Sequence, residues 1–257
     1  MADNVTADSL RKAIKRGDVP PVILLHGEEG FYTDLIAREV ETLVAPEDRD
    51  FDLTLLYATD TEPAAVIEAA RRYPMMSSRQ VVIVRELQEG CKPRFTTTAY
   101  LNALAPYVRN PSDSTVLCLC CRGAQAKGAE FTKALKEGNG VVLDSKKLNE
   151  RVVAQTVADF IAGRGLTADP KALAMLCEFV GTDLSRLYNE VDKLTVTLGP
   201  QARVTPEAVE RNIGVSKEYN NFEFTSALAA HNSARVFKIL RRFAADPKSN
   251  PPQVLVV

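Results

Sequence analysis

The first residues that could do chemistry form a turn of two glycines around two glutamates, Gly27, Glu28, Glu29 and Gly30. The apolar run that precedes this turn predicts a buried strand, and the amphipathic segment that follows it predicts a helix. In a strand–turn–helix arrangement, glycines and the N–H groups of the helix N-terminus can bind phosphate. The sequence therefore raises the question of whether the protein binds a nucleotide.

The turn lacks the residues that hold a triphosphate. In the pattern G-x-x-x-x-G-K-[ST], counted from the first glycine, positions 32 to 34 should be glycine, lysine and a hydroxyl residue. They are instead Tyr32, Thr33 and Asp34. Carboxylates at Glu28, Glu29 and Asp34 would repel phosphate oxygens, at a cost on the order of several kcal/mol in a partly desolvated loop. We predict turn glycines that need positive φ at Gly27 and Gly30, and no bound nucleotide.

The second candidate is a pair of adjacent methionines in the segment Tyr73-Pro74-Met75-Met76-Ser77-Ser78-Arg79. Pro74 should end the preceding helix, and a buried strand follows the segment. Neighbouring residues of a helix point about 100° apart, so the two methionines cannot share one face. They could dock into an apolar groove of a partner or fill the top of the core. Spacing alone favours the core, because apolar residues beside a core strand are usually buried.

Cysteine and histidine offer little further chemistry. Cys118, Cys120 and Cys121 crowd one apolar strand, and no C-x-x-C pair of a zinc site occurs. The two histidines, His26 and His231, are far apart in the sequence. We therefore predict no metal site, no catalytic residue and no cofactor.

Composition limits the class of protein. The 257 residues carry a net charge of −1, so no overall basic field favours a stand-alone, tight nucleic-acid binder. No run of about 18 apolar residues and no signal-peptide pattern occurs. The sequence predicts a cytoplasmic protein without membrane contact.

Strands and helices alternate through the first half of the chain. The predicted strands are 22–26, 52–56, 80–84, 115–121 and 140–143. This alternation predicts an α/β fold with a mostly parallel five-stranded sheet flanked by helices. From Leu148 onward the signals are helical, and after about residue 214 a further helical unit begins. The final apolar segment, 251–257, has no cap or terminator, so we expect the sequence to be truncated inside that unit.

Several blocks, in order, resemble the delta subunit of bacterial DNA polymerase III, a clamp-loader subunit. These blocks are residues 24–29, 74–80, 181–194, 204–207, 213–218, 222–224 and 227–228. The resemblance implies an AAA+-like α/β domain at 1–145, a small helical lid domain at 146–214 and the start of an all-helical collar domain at 215–257. It also implies a non-catalytic subunit, without ATP binding or hydrolysis, in a complex that has DNA-directed DNA polymerase activity.

The resemblance also assigns partners and a binding site. In the family, two adjacent apolar residues at the tip of a short helix insert into a groove of the sliding clamp. The matching positions are Met75 and Met76, where family members often carry Leu and Phe, with Tyr73 and Pro74 beside them. The implied function is to bind and open the sliding clamp for loading onto primed DNA, together with other clamp-loader subunits in a pentamer.

Two alternatives remain at the level of sequence. One is an active AAA+-type ATPase motor with a divergent P-loop, which the missing lysine disfavours. The other is a DNA-binding regulatory protein built on residues 148–214, which needs a basic recognition helix. The best-formed helix there offers Arg186 and Lys193 against Glu190 and Asp192, so it is a poor candidate.

Overall fold

The computed structural model describes residues 3–90 and 94–213, together with Ser233 and Val236. It divides the chain into two compact units, residues 1–147 and residues 148–257. Beyond residue 213, the predicted third domain lies outside the described residues except for Ser233 and Val236, both of which are helical.

A parallel six-stranded sheet forms the centre of the first unit. Its strands are β1 (Asp3–Asn4), β2 (Val22–Gly27), β3 (Leu53–Tyr57), β4 (Gln80–Arg85), β5 (Thr115–Cys120) and β6 (Val141–Ser145). Their order across the sheet is β1-β6-β2-β5-β4-β3. The five predicted strands are all present, which confirms the α/β fold class. Strand β1 was not predicted, because two residues at a sheet edge leave no periodic pattern.

Helices cover both faces of this sheet. They are α1 (Ala7–Arg16), α2 (Gly30–Glu41), α3 (Arg49–Asp52), α4 (Pro63–Ala70), α5 (Thr97–Arg109) and α6 (Ala129–Glu137). Alternate residues of each strand point to opposite faces. Val82 and Leu117 therefore pack with Leu104 of α5, whereas Ile83 and Cys118 belong to the cluster formed with α1 and α2.

The connections around β3 and β4 differ from the sequence prediction. Asp52, predicted as the first residue of a strand, is the last residue of the short helix α3. Helix α4 ends at Ala70, ahead of Pro74, and residues 71–79 are irregular, mostly turns and bends, before β4 begins at Gln80. This irregular connection carries the methionine pair.

The described part of the second unit is mostly helical. Its helices are α7 (Glu150–Ala162), α8 (Pro170–Val180), α9 (Leu184–Leu198) and α10 (Pro206–Asn212). Leu187, Val191 and Leu194 form the buried stripe of α9, as their spacing predicts. The sequence pattern predicted only helices here, and a parallel pair of two-residue strands was not predicted: β7 (Thr167–Ala168) and β8 (Arg203–Val204).

Candidate functional site

The methionine pair lies in the connection between α4 and β4, which we call the tip segment (Tyr73–Arg79). Met75 is 74% exposed and Met76 is 65% exposed, and the neighbouring Tyr73 is 83% exposed. Packing of the methionines in the core, the alternative that spacing favoured, is therefore wrong. The tip segment contains no helix, whereas the resemblance implied a short helix at this point.

A buried carboxylate lies beneath the tip segment. Asp52 has no exposed surface, and its carboxylate oxygens accept hydrogen bonds from three consecutive backbone N–H groups. The donor nitrogens of Met75, Met76 and Ser77 lie 2.6, 2.8 and 2.5 Å from these oxygens. The Ser77 hydroxyl also donates to Asp48 at 3.0 Å. The backbone of the pair is therefore bonded to the body of the unit, while its side chains point away from it.

The hydrogen bonds set the charge state of Asp52. Burial acts to raise the pKa of this carboxyl, but the N–H groups of Met75, Ser77 and Met76 favour the ionised form. The net result is a pKa below its ordinary value, so Asp52 is a carboxylate at neutral pH. The role of Asp52 was not predicted, because one acidic residue ahead of an apolar run gives no sign that its carboxylate accepts three backbone N–H groups.

The C-terminal end of the tip segment is also held. Arg79 donates from Nη2 to the carbonyl oxygen of Gly17 at 2.6 Å. Gly17 ends α1 in the left-handed conformation that glycine adopts readily at a helix C-terminus. The next residue, Gln80, donates its N–H to the carbonyl of Ser114 at 2.8 Å and begins β4.

A cleft of about 750 Å³ lies beside the tip segment. It is lined by Arg71, Tyr73, Pro74, Tyr107 and residues 110–114. The Tyr107 hydroxyl donates to the carbonyl of Ala70 at 3.1 Å and accepts the N–H of Ser112 at 3.4 Å. Burial raises the pKa of this phenol, which stays protonated at neutral pH. The cleft thus adds polar groups to the apolar surface of the tip.

Two backbone N–H groups of the glycine turn, those of Gly27 and Glu29, bond within the protein. The Gly27 N–H donates to Ala124 at 2.9 Å, and the Glu29 N–H donates to Ser145 at 3.0 Å. The Glu29 carboxylate caps α2 by accepting the N–H of Phe31 at 3.0 Å. Three donors around the turn therefore already have protein partners, and the capping carboxylate occupies the helix N-terminus where a phosphate would bind.

Close packing explains both glycines of the turn. Gly27 has a φ of 122°, and a Cβ there would lie 2.2 Å from the Ser145 carbonyl oxygen. The predicted positive φ at Gly30 is wrong, because Gly30 is the first residue of α2 and its φ is not positive. A Cβ at Gly30 would instead lie 2.9 Å from the Cγ of Arg122, whose Nε is 2.8 Å from Asp34.

The thiols of Cys118, Cys120 and Cys121 and the imidazole of His26 are buried in the first unit. Cys118 and Cys120 have their sulfurs 3.9 Å apart on one face of β5, and burial raises the pKa of Cys121 to about 11. His26 is buried, and desolvation lowers its pKa. Within the described residues, no three His, Cys, Asp or Glu side chains are grouped so that they could hold a metal ion.

None of the described helices has the length and hydropathy to cross a membrane. Cys91 and His231 lie outside the described residues.

Comparison with known proteins finds similarity to the same family as the sequence blocks. A sequence model of the family described as DNA polymerase III, delta subunit, matches residues 25–146. The DNA polymerase III subunit delta of Bacillus subtilis is 26% identical over 221 residues. That alignment covers 84% of this chain, and the chain spans 63% of the length of the relative.

A solved structure agrees on the fold. The Bacillus subtilis DNA clamp loader delta protein superimposes with a TM-score of 0.79 at 23% identity. The superposition covers 97% of this chain and 74% of that protein. The predicted fold class, an α/β unit with a parallel sheet flanked by helices and then a mostly helical unit, is confirmed. The chain is therefore similar to the delta subunit of bacterial DNA polymerase III, which confirms the resemblance carried by its sequence blocks.

Proposed function

We propose that this protein binds the sliding clamp through Tyr73, Pro74, Met75 and Met76 and opens the ring for loading onto primed DNA. The exposed methionine pair on the tip segment is the single observation that carries the proposal. Adjacent exposed apolar side chains on a soluble domain mark interaction sites, and methionine adapts its shape to an apolar groove.

Opening requires no covalent chemistry in this proposal. The clamp ring has a closed state and a strained open state, and a ligand shifts their populations only by its difference in affinity for the two. A tip that fits the edge of the open ring better than the closed ring would stabilise the open form. The subunit would be non-catalytic, with any enzymatic activity belonging to the complex.

We also propose that the subunit neither binds nor hydrolyses ATP. The occupied N–H groups of Gly27 and Glu29 support this proposal, as does the carboxylate that caps α2. Nucleotide-driven control would come from other clamp-loader subunits in a pentamer. Residues 1–145 would be the clamp-binding domain, 146–214 the lid and 215–257 the start of the collar, and the complex would act in the cytoplasm.

Release of a preloaded clamp from circular DNA tests binding, opening and nucleotide independence together. The chain is added without nucleotide to fluorescent clamps on nicked circular DNA, and free and DNA-bound clamps are separated by gel filtration. We expect the chain to accelerate release in the absence of ATP. Release at the spontaneous rate at saturating chain would contradict the opening function, and release that occurs only with ATP would contradict the proposed nucleotide independence.

A further inference from the structure

We propose that Asp52 is the positioning residue of the tip segment: its carboxylate fixes the backbone of Met75, Met76 and Ser77, so that both methionines meet the partner in one preformed arrangement. This inference rests on the proposed clamp-binding function, which it deepens by adding a residue that does not itself contact the clamp. The contacts of one buried side chain with three consecutive backbone groups carry it.

The geometry divides the three donors between the two carboxylate oxygens. Oδ1 of Asp52 accepts the N–H of Met75, and Oδ2 accepts the N–H groups of Met76 and Ser77. The three donors belong to residues outside any helix or strand. A backbone outside regular structure samples many conformations unless other groups hold it. Asp52 therefore supplies hydrogen bonds that a helix or a strand would otherwise provide.

Only an ionised carboxylate fits this arrangement. It is acceptor-only and offers about four lone-pair sites, which match three converging donors. An asparagine amide would direct its own N–H₂ group toward at least one backbone donor, and that donor would lose its partner. Hydrogen bonds to an ionised acceptor are also stronger than neutral ones, which offsets the burial of the charge.

Further contacts hold the same segment from outside. The Ser77 hydroxyl donates to Asp48 at 3.0 Å, and Arg79 donates to the carbonyl of Gly17 at 2.6 Å. The side chains of Met75 and Met76 project from this held backbone and are exposed. A binding loop that is already ordered loses less conformational entropy when the partner docks, so preorganisation increases affinity without adding a contact.

Amide hydrogen exchange on the unmodified chain gives the first test. We expect the amides of Met75, Met76 and Ser77 to exchange roughly tenfold or more slowly than the same amides in a free peptide of residues 71–80. Exchange at the free-peptide rate would overturn the inference, because a held backbone must protect these N–H groups. This measurement requires no variant and no partner.

The second test compares Asp52→Asn with Asp183→Asn, a matched control. Asp183 is an exposed carboxylate that accepts a single backbone N–H at the start of α9. We expect Asp52→Asn to lose the protection of the three amides and to weaken binding to an immobilised sliding clamp roughly tenfold or more. Asp183→Asn should leave both quantities unchanged. Asp52→Asn with full protection and full affinity would overturn the inference, and if this variant fails to fold, the exchange rates of the unmodified chain decide.

A third variant separates this inference from the proposed function. Met75→Ala/Met76→Ala removes the two side chains and leaves the Asp52 hydrogen bonds in place, so the amide protection should persist. If this variant keeps full clamp affinity, the proposed function fails. Amide exchange then still measures whether Asp52 fixes the backbone of the tip segment. If it weakens binding and Asp52→Asn loses protection without losing affinity, the positioning role fails and the proposed function stands.

Discussion

Asp52 and Glu29 show how the environment decides what a carboxylate does. Both accept backbone N–H groups, but Glu29 caps α2 through one donor, whereas Asp52 is fully buried and accepts three. The sequence itself shows that the glycine turn contains carboxylates, because Glu29 stands between two glycines in a recognisable turn. It could not predict the contacts of Asp52, because its partners are 23 to 25 residues away.

His26 should make the stability of the first unit depend on pH. Its side chain is buried, and desolvation lowers its pKa below the ordinary value of 6.5, although Asp144 partly opposes the shift. The unfolded chain therefore binds more protons than the folded chain just below pH 6.5, and the free energy of unfolding falls as the pH falls. The contribution is fully present above pH 6.5 and is lost toward the lower pKa of the folded state.

Urea unfolding at pH 7.5, 6.5 and 5.5 measures this dependence. His26→Asn keeps an acceptor where Nδ1 of His26 accepts the Ala126 N–H at 3.4 Å, and it removes the titrating group. We expect this variant to lose less stability than the unmodified chain between pH 6.5 and 5.5. Identical pH dependence of the two proteins would show that His26 does not contribute.

At the scale of elements, the turn between β2 and α2 is held by hydrogen bonds to neighbouring segments of the first unit. The N–H groups of Gly27 and Glu29 bond to the carbonyls of Ala124 and Ser145. The Ser145 hydroxyl lies within hydrogen-bond distance of the carbonyls of His26 and Glu29, which share its one proton. From the missing lysine and the added carboxylates, the sequence predicted that this turn binds no nucleotide. The register of β2 beside β6 determines the close contact at Gly27, and this register depends on pairing across more than 100 residues.

Gly27→Ala should destabilise the first unit. The left-handed φ and the contact with the Ser145 carbonyl together should cost about 2 kcal/mol or more, because the backbone must move. Gly123→Ala is the matched control: Gly123 has a φ of 69° and open space around its Cβ position. Its cost should be the conformational term alone, about 1 kcal/mol. Chemical unfolding measures both values, and an equal loss in the two variants would contradict the close-packing explanation.

Elements with long apolar patterns were predictable, and short or irregular ones were not. Runs such as Val81–Val84 predict a buried strand because β-branched residues alternate between two covered faces. Strand β1 and the pair β7–β8 have two residues each, too few for any period. Helix α3 has four residues and was assigned in part to the following strand, because its boundary depends on Asp52 and its tertiary contacts.

At the scale of the whole molecule, the nucleotide question has a direct test. A ligand that binds only the folded state raises the melting temperature, and at 100 times its Kd it adds about 2.7 kcal/mol of stability. We expect no shift with millimolar ATP and Mg²⁺, since the N–H groups of Gly27 and Glu29 are occupied and the Glu29 carboxylate caps α2. Scanning fluorimetry at matched ionic strength measures the shift. A rise of several degrees that depends on ATP concentration would revive the ATPase alternative.

The candidate binding site was predictable in location but not in structure. The resemblance pointed to Met75 and Met76, whereas spacing alone favoured the core. Both side chains are exposed, and the tip segment is irregular with bends where a short helix was expected. Clamp binding itself stays a prediction.

The measurement that tests the proposed function most directly is the affinity of the chain for a sliding clamp, compared between the unmodified protein and Met75→Ala/Met76→Ala. We predict a loss of about 2 kcal/mol or more with an unchanged melting temperature, because the exposed pair adds little to folding and would be an interface hot spot. Val196→Ala, at an apolar residue that is 86% exposed on α9, should bind normally. Unchanged clamp affinity of the double variant would contradict the assignment of the tip as the clamp-binding site.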